Sequence, residues 1–326
     1  MSSAILLVGG MGTRLQPLTL TTPKPMLSVA GVPFTEHQII KAREAGFTEI
    51  VLATSFKAEL FEPYFGNGER FGISIRYAVE KEPLGTGGAI RNAASMLTGS
   101  GPVAIFNGDV LSAHGLAAQL KFHTDTESDV TLYLTEVADA RAFGAVEFDS
   151  EFRVSAFNEK MENPPTNMIN AGCYIFSRHV IDSIPEGKVV SVERETFPGL
   201  LARGARVSAF VDRSYWLDIG TPAALMKASK DLLSGAMFSA ATPALSDGSF
   251  IGAGTAIEST AHISHSVIGA GARIAAGVRV DGSLVGAGAV IGADAHLTDC
   301  FIADGAKVEA GVIAGGNFLG FTPSGQ

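Results

Sequence analysis

The residues most able to act on a phosphate lie near the start of the chain. Gly9-Gly10-Met11-Gly12-Thr13-Arg14-Leu15-Gln16-Pro17 sets three glycines in four positions, and Thr22-Pro23-Lys24-Pro25-Met26 follows shortly after. Glycine lets the backbone turn sharply and come close to a ligand, because no Cβ stands in the way. Successive N–H groups in such a turn form a concave nest for anions. Arg14 can fork onto phosphate oxygens, and Lys24 adds a point charge. The prolines on either side of Lys24 stiffen its backbone, so less entropy is lost when it engages a ligand. Gly9, Gly10, Gly12, Thr13 and Arg14 are therefore candidates for holding phosphates. Two better-known phosphate loops are excluded: a dinucleotide fingerprint needs a third glycine where Leu15 stands, and a Walker A loop needs Gly-Lys-Ser/Thr, which the chain lacks.

Two carboxylates complement these cations. Asp109, in Phe106-Asn107-Gly108-Asp109-Val110, ends an apolar strand-like run where packing alone gives a carboxylate little reason to be. A magnesium ligand facing triphosphate oxygens is its natural role. Asp218 lies in Tyr215-Trp216-Leu217-Asp218-Ile219-Gly220-Thr221-Pro222. Thr221 and Pro222 read as the cap and first residue of a helix, which places Asp218 at a strand-to-helix turn. Taken alone it is also a common turn residue. A further acidic loop, Glu80-Lys81-Glu82-Pro83-Leu84-Gly85-Thr86-Gly87-Gly88, follows the strand-like Ile73–Val79 run and opens a helix.

The order and content of these motifs over roughly residues 3–230 resemble the sugar-phosphate nucleotidyltransferases, the nucleoside-diphosphate-sugar pyrophosphorylases. The resemblance implies that the Glu80 loop, with Gly85 and Thr86, holds the nucleobase. Guanine offers two neighbouring donors, N1–H and its N2 amino group, and a carboxylate such as Glu80 or Glu82 accepts both; uracil and thymine present one donor between two acceptors and suit an amide better. Glu-x-Glu-Pro-Leu-Gly-Thr thus resembles the guanylyltransferase branch. The resemblance also implies a sugar side: Gly144 within Phe143-Gly144-Ala145-Val146-Glu147, the pair Glu159-Lys160 for the sugar hydroxyls and phosphate, and Asn170 within Asn170-Ala171-Gly172. Met161 stands where the family has proline. Ser191-Val192-Glu193-Arg194-Glu195-Thr196-Phe197-Pro198 resembles a segment of the mannose-1-phosphate guanylyltransferases, although Glu193 reads equally as a capping-box residue.

The activity implied is GDP-mannose and pyrophosphate from GTP and mannose 1-phosphate, with Mg²⁺ as cofactor. Arg14 and the glycine-loop amides would hold the leaving pyrophosphate, Lys24 the α-phosphate, Asp109 and Asp218 the metal, and Lys160 the incoming phosphate. The alternatives are a uridylyl- or thymidylyltransferase on another sugar 1-phosphate, and a catalytically silent subunit that binds sugar nucleotide. The silent reading is disfavoured because Arg14, Lys24, Asp109 and Asp218 are all present.

Such loops need a rigid frame. Up to about residue 230, strand-like segments (Ala4–Val8, Glu49–Thr54, Ile73–Val79, Val103–Phe106, Asp129–Leu134) alternate with helix-like ones (one ending at Gly46, then Gly87–Leu97 and Leu116–His123). That alternation predicts an α/β fold, a Rossmann-like, mostly parallel sheet flanked by helices, with ligands beyond the carboxyl ends of the strands. After a small-residue linker, aliphatics recur in steps of six, six and five: Ile251, Ile257, Ile263; Ile268, Ile274, Val280; Val285, Ile291, Leu297; Ile302, Val308. This is the hexapeptide pattern of a short left-handed parallel β-helix. The organisation expected is a catalytic domain over residues 1–233, a linker over 234–250 and a repeat arm over 251–326 that serves homo-oligomer assembly, with Asn317–Gln326 covering the arm's open end. His262, His265 and His296 in the repeat read as surface residues, not as acyl-transfer groups.

Bulk properties agree. The chain has 326 residues, 46% apolar and 17% charged, with a net charge of −9, which argues against a nucleic-acid or anionic-membrane partner. It also requires cations concentrated where an anionic substrate binds. Cys173 and Cys300 have no metal-ligand spacing and read as buried small hydrophobes in a reducing compartment. Ala4–Val8 is too short for a signal peptide or membrane span, so a cytoplasmic protein is expected.

Overall fold

The structure is a computed structural model that describes residues 2–55 and 57–321. The chain divides into two compact units, Met1–Gly10 with Gln38–Trp216, and Met11–His37 with Leu217–Gln326.

The first unit is built on a nine-stranded sheet. Its central strand, Ser3–Leu7, runs parallel to Glu49–Thr54 on one side and Val103–Asn107 on the other, and Glu49–Thr54 runs parallel to Ser74–Val79. Ser3–Leu7, Glu49–Thr54 and Val103–Asn107 read as short apolar runs because both sheet faces are covered there. The parallel, Rossmann-like character is confined to these four strands and one further pair, Val130–Glu136 with Val207–Val211. Beyond Val103–Asn107 the sheet is antiparallel: Met168–Phe176 pairs with Val103–Asn107, Val130–Glu136 and Gly144–Phe148, and Gly144–Phe148 pairs with Val154–Glu159. The sheet is therefore mixed. Only the short turn 149–153 separates the last pair, and so short a link can join only antiparallel neighbours. The helix Phe34–Glu44 stops before Gly46, whose φ of 88° is open to glycine. The helix expected from Gly87 begins at Gly85 and runs to Ala94. Between sheet and helices lie Ile5, Val51, Ile90, Ile105, Leu132, Tyr174 and Phe197.

The second unit contains the rest of the glycine loop, the helix Pro222–Leu233 and the repeat arm. The arm's strands form three parallel sheets of five, four and four strands. Ile251 pairs with Ile268, Ile268 with Val285, and Val285 with Ile302, so the sequence period is the spatial register. Gly252, Gly269 and Gly286 follow three coil starts because a Cβ there would lie 2.4–2.5 Å from a backbone nitrogen of the next coil. The arm's core is aliphatic and includes the buried Cys300. The pattern also continues past the point where the sequence suggested a cap. Phe318–Leu319 is a further repeat strand, paired in parallel with Phe301–Ile302, and the Phe318 ring stacks on Phe301 at 5.1 Å. The expected cap at Asn317–Gln326 is thus a fifth coil start as far as Phe321, and Thr322–Gln326 lie outside the described residues. His262 and His296 are exposed in one ladder with Arg279 between them. Among the described residues no helix is long and apolar enough to cross a membrane.

Candidate active site

The carboxyl edge of the four parallel strands carries several candidate residues of the first unit. Val8 N–H donates to the Ala53 carbonyl, after which the chain leaves the sheet. Ser55 Oγ then donates to the Gly9 carbonyl at 2.6 Å, and a Cβ on Gly9 would lie 2.6 Å from the same oxygen. Ser55 thus fixes the start of the glycine turn, while Gly10 has open space on the side where a Cβ would stand. In the neighbouring strand, Gly108 N–H donates to the Leu7 carbonyl at 3.0 Å, and a Cβ on Gly108 would lie 2.3 Å from that oxygen. The glycine lets the turn bearing Asp109 press onto the end of the central strand. Glu80 N–H donates to the Thr54 carbonyl, which places Glu80 at the same edge.

The loop that carries Glu80 is anchored from within its own unit. Glu80 Oε2 accepts from Leu84 N–H at 3.2 Å, and partial burial pushes the Glu80 pKa up. Gly85 has φ of 70°, and a Cβ there would lie 2.6 Å from the Val190 carbonyl. Gly87 N–H donates to that carbonyl, and Val190 N–H donates to the Leu84 carbonyl. Thr86 Oγ1 donates to Glu193 Oε2 at 2.8 Å and accepts from Val192 N–H at 2.9 Å. The two readings of Glu193 are separated here. Ser191 caps the following turn by accepting from Arg194 N–H, and it is Glu195 that reaches back to Ser191 N–H at 2.8 Å. The bond back to the cap's N–H belongs to Glu195, and Glu193 Oε2 accepts from both the Thr86 and the Ser191 hydroxyls.

Further along the same sheet, Gly144 pairs with Glu159. A Cβ on Gly144 would lie 2.9 Å from Glu159 Oε2 and 2.7 Å from Phe157 Cζ, so the glycine makes room for two side chains of its own sheet. Lys160 has φ of 50°, donates its N–H to the Phe143 carbonyl and holds its Nζ 3.6 Å from Glu159 Oε1. Proline at 161 would push Lys160 out of that conformation, which Met161 permits. Asn170 Nδ2 donates to the Tyr174 hydroxyl at 2.9 Å, and Asn170 Oδ1 accepts from Gly172 N–H at 3.2 Å. The strand's register shifts between Asn170 and Tyr174. Gly172, with φ of 78°, packs there against Asn107 and Val110, the residues that bracket Gly108 and Asp109. Trp216 Nε1 donates to the Ala171 carbonyl, and its ring meets Phe143 edge-on at 5.4 Å. Ser55, Tyr174 and Trp216 were not predicted; only Trp216, the chain's lone tryptophan inside a recognised motif, carried a signal.

In the second unit, Gly12 has φ of 62° and opens a short helical turn over Thr13–Leu15. Its carbonyl accepts from Thr19 Oγ1, and a Cβ on Gly12 would lie 2.8 Å from Lys24 Cβ. The glycine thus admits the Lys24 stem against the loop. Lys24 itself starts a turn after the extended Pro23. A Cβ on Gly220 would lie 2.9 Å from Arg14 Nη2 and 3.1 Å from Asp218 Oδ2, so a guanidinium and a carboxylate gather on the open side of one glycine. Thr221 caps the next helix by accepting from Ala224 N–H, with Pro222 at its first position, as expected. The first unit therefore gathers Gly9, Gly10, Glu80, Gly85, Thr86, Asp109, Gly144, Glu159, Lys160 and Asn170, and the second gathers Gly12, Thr13, Arg14, Lys24 and Asp218.

Residues 3–235 match the nucleotidyl transferase family, and residues 238–318 match the GlmU-like C-terminal hexapeptide family. A mannose-1-phosphate guanylyltransferase of Mycobacterium tuberculosis is 48% identical over 287 residues, covering 85% of this chain and 77% of that protein. A mannose-1-phosphate guanyltransferase of Pichia angusta is 37% identical over 71% of this chain, which spans 62% of that protein's length. Among solved structures, HddC from Yersinia pseudotuberculosis complexed with GMP-PN is 31% identical with a TM-score of 0.61, over 71% of this chain and 99% of that one. A putative glucose-1-phosphate thymidylyltransferase from Bacillus anthracis, 24% identical with a TM-score of 0.64 over 70% of this chain and 94% of that one, shares the fold.

Proposed function

The chain belongs to the nucleotidyl transferase family, and from that premise we propose that it makes GDP-mannose and pyrophosphate from GTP and mannose 1-phosphate. The observation that carries the reading is the 48% identity, over most of the chain, to a mannose-1-phosphate guanylyltransferase. The position of Glu80 at the carboxyl edge of the sheet supports a guanine reader there.

A phosphate oxygen of the sugar attacks the α-phosphorus, and the bond from that phosphorus to the β-phosphate's bridging oxygen breaks. No general base is required, because a phosphate monoester with a second pKa near ~6 is largely dianionic at neutral pH. Catalysis is then positioning and charge neutralisation. The glycine-turn amides and Arg14 hold the leaving pyrophosphate, Lys24 the α-phosphate, and Lys160 the incoming phosphate. Glu159 and Asn170 hold the sugar. Asp109 and Asp218 would hold Mg²⁺: their oxygens are the hard donors that such an ion takes, one or two at a time, alongside substrate phosphates. The bound ion supplies neutralisation of the triphosphate charge. The catalytic domain covers residues 1–233, the linker 234–250, and the arm over 251–326 joins copies of the chain in a cytoplasmic homo-oligomer.

The test is pyrophosphate release with Mg²⁺, crossing GTP, UTP, dTTP, CTP and ATP with mannose 1-phosphate and glucose 1-phosphate. Release with GTP and mannose 1-phosphate is expected. A preference for UTP or dTTP would overturn the base assignment and keep the reaction type.

A further inference from the structure

Gln38 sits on the helix Phe34–Glu44 and is buried, with 4% of its surface exposed. Its Nε2 donates to two carbonyls, Asn107 at 2.8 Å and Val110 at 3.2 Å. These carbonyls lie on either side of Gly108 and Asp109, so one amide spans the turn that presents the carboxylate. The orientation of the amide is fixed by its partners, since only the nitrogen can donate to two carbonyl oxygens. Gln38 Oε1 is consequently left buried without a partner among the described residues. An unsatisfied buried acceptor is destabilising, so plain packing would favour an apolar side chain at this position. Three residues along the same helix face, Lys41 Nζ donates to the Ser112 carbonyl at 2.7 Å and lies 2.9 Å from His114 Nδ1. The strand leaving the turn is thereby held by the same helix.

We propose that Gln38 is a positioning residue for Asp109: its amide clamps both ends of the Asn107–Val110 turn and fixes the carboxylate's direction at the sheet edge. The inference rests on the reading of Asp109 as a metal-holding carboxylate. Because the turn is also bounded by Gly108 on Leu7 and by Gly172 on Asn107 and Val110, loss of the clamp loosens it without unfolding the strand.

The test uses the full-length chain with Gln38→Met, which preserves volume and removes the donor, and Gln38→Glu, which preserves shape and sets a carboxylate against two carbonyls. Hydrogen–deuterium exchange over residues 107–111 should accelerate by about tenfold, the scale of one or two lost hydrogen bonds, with other strands unchanged. The Mg²⁺ concentration for half-maximal turnover should rise by a similar factor while KM for mannose 1-phosphate stays constant. Relative to the native enzyme, Gln38→Glu should recover as pH falls, because only a protonated carboxyl can donate. Unchanged exchange at the turn overturns the proposal. So does a uniform loss, with faster exchange throughout and KM and turnover falling together, which marks Gln38 as structural only. Asp109→Asn separates the premise: near-normal turnover there removes the carboxylate's role, whereas the exchange result still reports the clamp.

Discussion

In the repeat arm, residues pair with counterparts seventeen positions away, as Ile274 does with Ile257 on one side and Ile291 on the other. Around Asp109 no such rule operates. The turn is bounded by Leu7 from the first strand, Gln38 from the first helix and Gly172 from a strand more than sixty residues later. The arm repeats one short-range solution, and its information is its period. The sheet edge assembles a single constellation from segments far apart in sequence, held by individual hydrogen bonds. The arm thus rests on a repeated packing rule, and the proposed chemistry rests on a few individual bonds at the sheet edge.

The contrast is most sharply tested by opposite substitutions. Asp109→Ala should lower turnover by at least about a hundredfold, the scale of losing an electrostatic contact to the transition state, with the melting temperature nearly unchanged; pyrophosphate release and calorimetry check both. Ile274→Ala, buried in the arm's core, should do the reverse. It should cost about 2–5 kcal/mol of stability in urea unfolding while the folded molecule keeps its turnover. A large loss of turnover per folded molecule there would erase the distinction.

The same contrast explains what could be read from sequence. The arm was legible almost to the residue because its period is its structure, and it was missed only at its end, where Ala314 takes the place of a larger aliphatic and Leu319 lies in the stretch expected to be a cap. The parallel strands and the glycine turn were legible because apolar runs end in residues with special backbone freedom. The antiparallel half of the sheet was not: Met168–Phe176 and its partners are buried on the same pattern as parallel strands, and direction is set by link length and packing. The site's supports, such as Gln38, Ser55 and Tyr174, carry no local signal, since a buried glutamine or tyrosine shows its partner only in three dimensions. The need for glycine at 144 is likewise visible only in the paired sheet, where the space at its missing Cβ is taken by Glu159 and Phe157.

Titration offers a third way to break the comparison, because the sheet unit buries groups that can charge whereas the arm's core is aliphatic. His123 Nδ1 lies 2.9 Å from Thr131 Oγ1, and burial lowers the ring's pKa to about 4; His114, stacked on Tyr133, is also held well below the ordinary histidine value by burial and by Lys41. Both are neutral in the fold, so between pH 6.5 and 4 the unfolded chain binds more protons and stability falls as pH falls. The slope is up to about 1.4 kcal/mol per pH unit for each group. Melting at pH 7 and pH 5 should show this loss, and His123→Gln should flatten it. An equal slope in that variant would place the acid sensitivity elsewhere.

The smallest expected effect concerns what the sheet edge reads. Glu80 holds its loop through Leu84 N–H and so combines a structural bond with the proposed recognition of guanine. Glu80→Gln keeps an acceptor for Leu84 but replaces a charged acceptor, suited to two guanine donors, with an amide that carries one acceptor and one donor group. The preference for GTP over UTP should therefore fall by about tenfold, within the range for a hydrogen bond to a charged group, with little change in stability. Burial raises the Glu80 pKa, so the native preference should also fade on acidification sooner than an exposed carboxylate would allow. If Glu80→Gln leaves both the preference and its pH dependence intact, base reading passes to another group on the loop, with Glu82 the first to test. The Leu84 bond would then be the whole of Glu80's contribution.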